Sequence, residues 1–145
     1  MKLVDLNKLQ LGLSKFITIK APRKLILVRN CESQGNLAGT ITGWMDVPLT
    51  DFGRKQAFKL SECLADLQVD SVSSSDLQRS IDTAFYAMAF PNSSPHQSKH
   101  LREINFGTHE GLHFDNLPKA EKQRFSDPNF KANEGESWDD VRSRA

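Results

Sequence analysis

"LILVRNCESQGN", residues Leu25 to Asn36, is the stretch on which the fold turns. The apolar run Leu25–Val28 leads straight into Arg29, and the chain then becomes polar, with Gly35 and Asn36 close behind. An unbroken apolar run this short predicts a strand covered on both faces, as in parallel sheets. The strand ends at Arg29. Asn30 and Cys31 therefore occupy an exposed tip, where a buried strand delivers side chains to a site.

Downstream, a loop rich in Gly and Thr, "GNLAGTITGWMDVPLT", reaches Thr50, which can cap a helix whose Ala57, Leu60, Leu64 and Leu67 repeat on one face. "VDSVSSS" predicts a second strand. A further helix begins at Asp76, with Leu77, Ile81, Ala84, Phe85 and Met88 as its buried stripe. The loop "FPNSSPHQS" leads to a weaker extended segment around Lys99 to Glu103. From Phe114 the chain is polar, and "GESWDDVRSRA" starts a helix at Ser137 with a capping-box-like Ser137/Asp140 pair. Strand, helix, strand, helix predicts an α/β fold with right-handed crossovers, and ligands in such folds sit beyond the carboxyl ends of the strands.

The chain of 145 residues is long enough for one domain with a core. Its formal net charge of +1 supplies no global field to recruit nucleic acid or an acidic membrane, so any anion site is local. Cys31 and Cys63 form no disulfide framework, which fits a reduced intracellular, cytoplasmic protein. No run is long enough to span a bilayer. Residues 1–23 are basic and place Leu6, Leu9, Leu13 and Phe16 at helical spacing. A mitochondrial transit peptide has this character, but an amphipathic extension on a domain spanning 24–145 is the simpler reading.

Arg29 ends the first strand, and Arg79 falls in the first turn of the second helix, where unpaired N–H groups and the helix dipole favour an anion. Two guanidiniums converging there would clamp a phosphate. Alternatively, each caps carbonyls or pairs with a surface carboxylate.

Several segments, in order, resemble the histidine phosphatase superfamily, which includes the cofactor-dependent phosphoglycerate mutases. They are Arg29 to Asn36, "TGWMDVPLTDFGRKQA" (42–57), "SSDLQRSIDTA" (74–84), "LREINFGTHEG" (101–111) and "GESWDDVRSR" (135–144). The resemblance implies a three-layer α/β/α sandwich with a mostly parallel sheet, binding phosphate or a small phosphorylated ligand; no cofactor and no metal are expected. It puts Arg29 and Arg79 at the phosphate-binding arginines, Asn36, Thr42 and Gly43 at substrate contacts, Glu103 at the proton-donating acid and Asn30 at the nucleophile.

That last position departs from the family pattern. The family's histidine attacks through a ring nitrogen to form a phosphohistidine, which needs a basic lone pair. An amide nitrogen's lone pair is delocalised into its carbonyl, so Asn30 can hydrogen-bond a phosphate but cannot carry one. Loss of a nucleophile in a well-studied hydrolase costs on the order of 10⁶ in rate. Beside it, Cys31 replaces the family glycine. A thiol phosphatase would close its anion loop with an arginine at the position of Leu37. The family's second catalytic histidine lies on a later strand, which is not reached by Ala145. The domain is thus expected to be C-terminally incomplete, through truncation or loss of a core strand, with an open sheet edge that a protein partner or self-association would cover.

"HEGLH" (109–113) also fits the zinc-protease pattern, with Glu134 as a third ligand. That chemistry needs both histidines on one helical face, which Gly107 and Gly111 disfavour, so His109 and His113 are expected to face solvent. "TGW" favours a mutase ancestry. The lack of an arginine after Glu103 favours a phosphatase one. The sequence as a whole suggests a catalytically disabled pseudoenzyme that keeps a phosphate pocket or serves as a structural subunit; an active phosphomonoester phosphatase or phosphoglycerate mutase is the alternative.

Overall fold

The computed structural model describes residues 3–5, 24–88 and 94–145. The amphipathic helix expected through Leu6 and Phe16 lies outside the described residues. Strand β1 (Leu3–Asp5) pairs antiparallel with β2 (Lys24–Ile26), Val4 standing opposite Leu25. Strand β3 (Ser73–Ser74) pairs in parallel with β4 (His96–Gln97). Helices α1 (Gln34–Ala38), α2 (Asp51–Leu64), α3 (Gln78–Met88), α4 (Lys119–Arg124) and α5 (Trp138–Arg144) complete the α/β arrangement, as expected from the alternation of patterns.

The caps are where the sequence places them. The Thr50 hydroxyl accepts the Gly53 N–H at 2.9 Å, starting α2. At α5 Ser137 and Asp140 form a full capping box, each side chain receiving the other's backbone N–H. A second capping box, Ser33 with Asn36, starts the short α1. Helices α2 and α3 pack on one another. Leu49, Leu77 and Ala57 are almost wholly buried.

Three expectations need correction. The Leu25–Val28 run is not covered on both faces: among the described residues Leu25 is 40%, Leu27 60% and Val28 44% exposed. On α3, Phe85 points outward, and the buried positions are Arg79, Thr83 and Ala87. Of the expected stripe Leu77 is buried and Ile81, Ala84 and Met88 are half-buried, but α3 also turns a partly polar face inward, where hydrogen bonds offset its burial. Finally, Lys99–Leu101 is a 3₁₀ turn capped by Ser98, and the strand lies just upstream of it.

Candidate functional site

The tip after β2 is held by α3. Thr83 Oγ1 donates to the Arg79 carbonyl at 2.7 Å and accepts the Cys31 N–H at 3.0 Å. Asn30 Nδ2 donates to the Cys31 carbonyl at 2.9 Å. Burial raises the pKa of the Cys31 thiol, and its hydrogen bond with Thr83 opposes the rise only in part. Cys31 is thus held as the neutral thiol, a poor nucleophile.

The loop from Thr40 to Asp46 forms the next wall. A turn closes it, with Met45 N–H donating to the Thr42 carbonyl at 2.6 Å. Gly43 sits at φ 42°, and a Cβ there would lie 2.9 Å from the Ile104 carbonyl and collide with Glu110 Oε1. Only glycine meets both demands.

Arg79 fastens this loop from beneath. It is 4% exposed; Nη1 donates to the Met45 carbonyl at 2.9 Å and Nη2 to the Gly43 carbonyl at 2.6 Å. The hydrogen bonds of the Arg79 side chain among the described residues are those of the carbonyl-capping alternative. A guanidinium has five N–H donors, so three remain beyond these two contacts. Burial pulls the Arg79 pKa below its ordinary value; Glu103, Asp46 and Glu110 oppose the shift, and nearby Arg29 adds to it. Arg29 itself is exposed and has no hydrogen-bond or ion-pair partner among the described residues.

Glu103 stands on the facing segment, with Oε1 accepting the Ile104 N–H at 2.9 Å. Arg144 of α5 clasps that segment. It donates to the carbonyls of His100 (2.7 Å), Arg102 (3.0 Å) and Glu103 (2.9 Å) and pairs with Glu136 at 2.7 Å. The Trp44 indole N–H also donates to the Glu103 carbonyl, at 2.9 Å. The Arg102 guanidinium, held by both oxygens of Asp76, lies 4.8 Å from the Trp44 ring centroid.

One cleft of about 310 Å³ joins these walls. Every site position expected from the sequence lines it: Arg29, Asn30, Asn36, the Thr42–Gly43 pair, Arg79 and Glu103. Cys31 lines an adjoining depression instead, with Leu27 and Gln56.

Sequence reasoning missed Thr83 and Glu110, which position the site, and the aromatic side chains that complete the cleft. Thr83 lies one helical turn after Arg79, a spacing that could have revealed its shared face. His109 also departs from expectation: it is partly buried, pairs with Glu121 at 2.6 Å and packs edge-on against Phe125 and Phe130. The zinc-protease geometry fails. Gly107–His109 is a 3₁₀ turn, Gly111 has φ 85°, and the His113 side chain caps the next turn through Asp115 N–H.

Residues 25–145 match the histidine phosphatase superfamily (branch 1). The chain belongs to this superfamily. A 2,3-bisphosphoglycerate-dependent phosphoglycerate mutase of Chlamydia abortus is 41% identical over 69 residues, covering 48% of this chain and 30% of the mutase. Among solved structures, phosphoglycerate mutase from Thermus thermophilus is similar with a TM-score of 0.66 and 32% identity, over 80% of this chain and 64% of that one. A mycobacterial glucosyl-3-phosphoglycerate phosphatase, solved with VO3, gives a TM-score of 0.71 at 29% identity, over 79% and 59% of the respective chains. The mixed α/β fold is therefore that of histidine phosphatase superfamily members resembling phosphoglycerate mutase. The chain spans less than two thirds of the length of these relatives. No described helix is long and apolar enough to cross a membrane.

Proposed function

We propose that this chain is a catalytically disabled member of the superfamily that binds phosphate or a phosphomonoester without turning it over. The observation that carries the proposal is Asn30, an amide lining the cleft shared by Arg29 and Arg79, which the sequence resemblance aligns with the family's nucleophilic histidine. Arg29 and the remaining N–H groups of Arg79 would take the phosphate, Asn36 and Thr42–Gly43 would contact the rest of the ligand, and Glu103 would occupy the acid position without a phosphoryl transfer to assist. A lone pair delocalised into a carbonyl cannot form the covalent intermediate. Cys31 offers no substitute, being held as a thiol beside the cleft.

The test combines turnover and binding. The unaltered chain is incubated with a generic phosphate ester and with a phosphoglycerate, beside an Asn30→His variant, and its melting temperature is followed against phosphate and vanadate. The expected result is no turnover by the unaltered chain and a rise in melting temperature with either anion, because a ligand that binds only the folded form stabilises it. Turnover by the unaltered chain overturns the disabled reading. A melting temperature indifferent to both anions overturns the binding reading and favours a structural-subunit role, for which the exposed Leu27 and Val28 provide an apolar surface.

A further inference from the structure

Beyond the arginines, the cleft wall is aromatic. Phe106, Phe114, Phe125, Phe130 and Trp138 line the same cavity as Arg29 and Arg79, and Ile104 and Ala132 add aliphatic surface. The phenylalanines form one cluster: Phe125 lies 5.5 Å from Phe106, 6.1 Å from Phe114 and 5.3 Å from Phe130, centroid to centroid, in tilted or edge-on arrangements. Two cations outside the cleft lining stack on rings of the cluster, Arg124 at 4.6 Å from Phe130 and Lys122 at 5.5 Å from Phe114. Trp138 and Phe114 remain 47% and 42% exposed, a large apolar area for side chains on the wall of a cleft.

The charges of the cleft discriminate as well. Among the described residues its lining contains no cation besides Arg29 and Arg79, whereas it includes three acidic residues, Glu103, Asp127 and Glu136. Arg144 already neutralises Glu136. The two arginines suffice for one phosphate, and a second anionic group on the ligand would find acidic residues in the lining and no further cation there to receive it.

Resting on the phosphate-binding reading above, we infer that the ligand class is a phosphomonoester whose organic part is apolar or aromatic and carries no second anionic group. The phosphate sits between Arg29 and Arg79, and the organic part lies against the rings of Phe125, Phe130 and Trp138. Stacked or edge-on aromatic contact strengthens such binding beyond the area buried.

The test measures affinities of the full chain for inorganic phosphate, phenylphosphonate, which cannot be hydrolysed, and 3-phosphoglycerate, by calorimetry in one buffer. Phenylphosphonate is expected to bind about tenfold or more tightly than both others, a margin that two or three aromatic contacts supply. In Trp138→Ala, a change at a half-exposed position, that margin should shrink several-fold while inorganic phosphate binds as before. Phosphate binding with phenylphosphonate no tighter, or with 3-phosphoglycerate the tightest of the three, overturns this inference and leaves the phosphate reading standing. Failure of all three to bind overturns both.

Discussion

Glu110 Oε1 accepts the backbone N–H of Trp44 at 2.6 Å and, with the same oxygen, that of Phe106 at 3.1 Å. A single carboxylate thus ties the loop carrying Thr42 and Gly43 to the segment carrying Glu103. Glu110→Ala should leave both N–H groups unpaired and cost about 2–3 kcal/mol of stability, as expected for hydrogen bonds to a charged group, while Glu110→Gln should cost less. Urea denaturation of the variants measures both.

Gly43→Ala tests the same junction from the other side. Its Cβ would collide with Glu110 Oε1, and φ 42° already disfavours any side chain. The expected loss is about 2–4 kcal/mol, with weakened phosphate binding where the protein remains folded. A variant of wild-type stability would show that the loop gives way freely.

Arg79→Ala removes two donors from the Gly43 and Met45 carbonyls and empties a buried volume. The expected cost is about 2–4 kcal/mol. Arg79→Lys offers one ammonium where a fork bridged two carbonyls, so it should recover only part of the stability. Arg29→Ala, at an exposed residue, should leave the urea midpoint nearly unchanged while abolishing the thermal shift with phosphate. That contrast separates the arginine that builds the site from the one that only faces it.

Acid should loosen α5 before α2 and α3. Hydrogen bonds from Lys131 and from the backbone and hydroxyl of Ser137 hold the Asp140 carboxyl down to about 2. Burial pushes Glu136 up, but hydrogen bonds from Arg144 and Asn105 outweigh it and leave its pKa lowered. Both folded values lie below the unfolded ones. Their contribution is therefore complete above about pH 5 and is lost as pH falls through the folded values toward about pH 2. Hydrogen exchange followed across that window should show α5 losing protection first. In Asp140→Asn the loss should depend less on pH; an unchanged profile would contradict the assignment.

The cysteines should differ in reactivity. Cys63 is exposed, whereas the Cys31 thiol is partly buried with a raised pKa. Iodoacetamide near pH 7.5 should label Cys63 first, with Cys31 about tenfold slower or more, since only thiolate reacts. Peptide mass spectrometry over time distinguishes the two.

What the sequence disclosed was mostly local. Thr50 and Ser137 announced their helices because capping is a contact between residues three apart. The positions expected at the site line one cleft because block order along the chain carries them there. Orientation was harder. The stripe from Leu77 to Met88 predicted an apolar inner face for α3; Leu77 is buried, yet Arg79 and Thr83 turn inward as well, and Arg79 does so toward carbonyls of Gly43 and Met45 that lie more than thirty residues away. The aromatic wall was hidden for the same reason. Phe106, Phe125 and Phe130 follow no helical or strand period, and they meet only because turns between them fold back.

The capping box at α1 has an outcome beyond starting a helix. Asn36 Oδ1 receives both the N–H and the hydroxyl of Ser33, at 3.0 and 2.9 Å, so its acceptor end is already occupied. The amide thereby shows visitors to the cavity only its NH2 end. An amide able to greet donors and acceptors alike is committed to acceptors, because a helix terminus has claimed its oxygen before any ligand arrives.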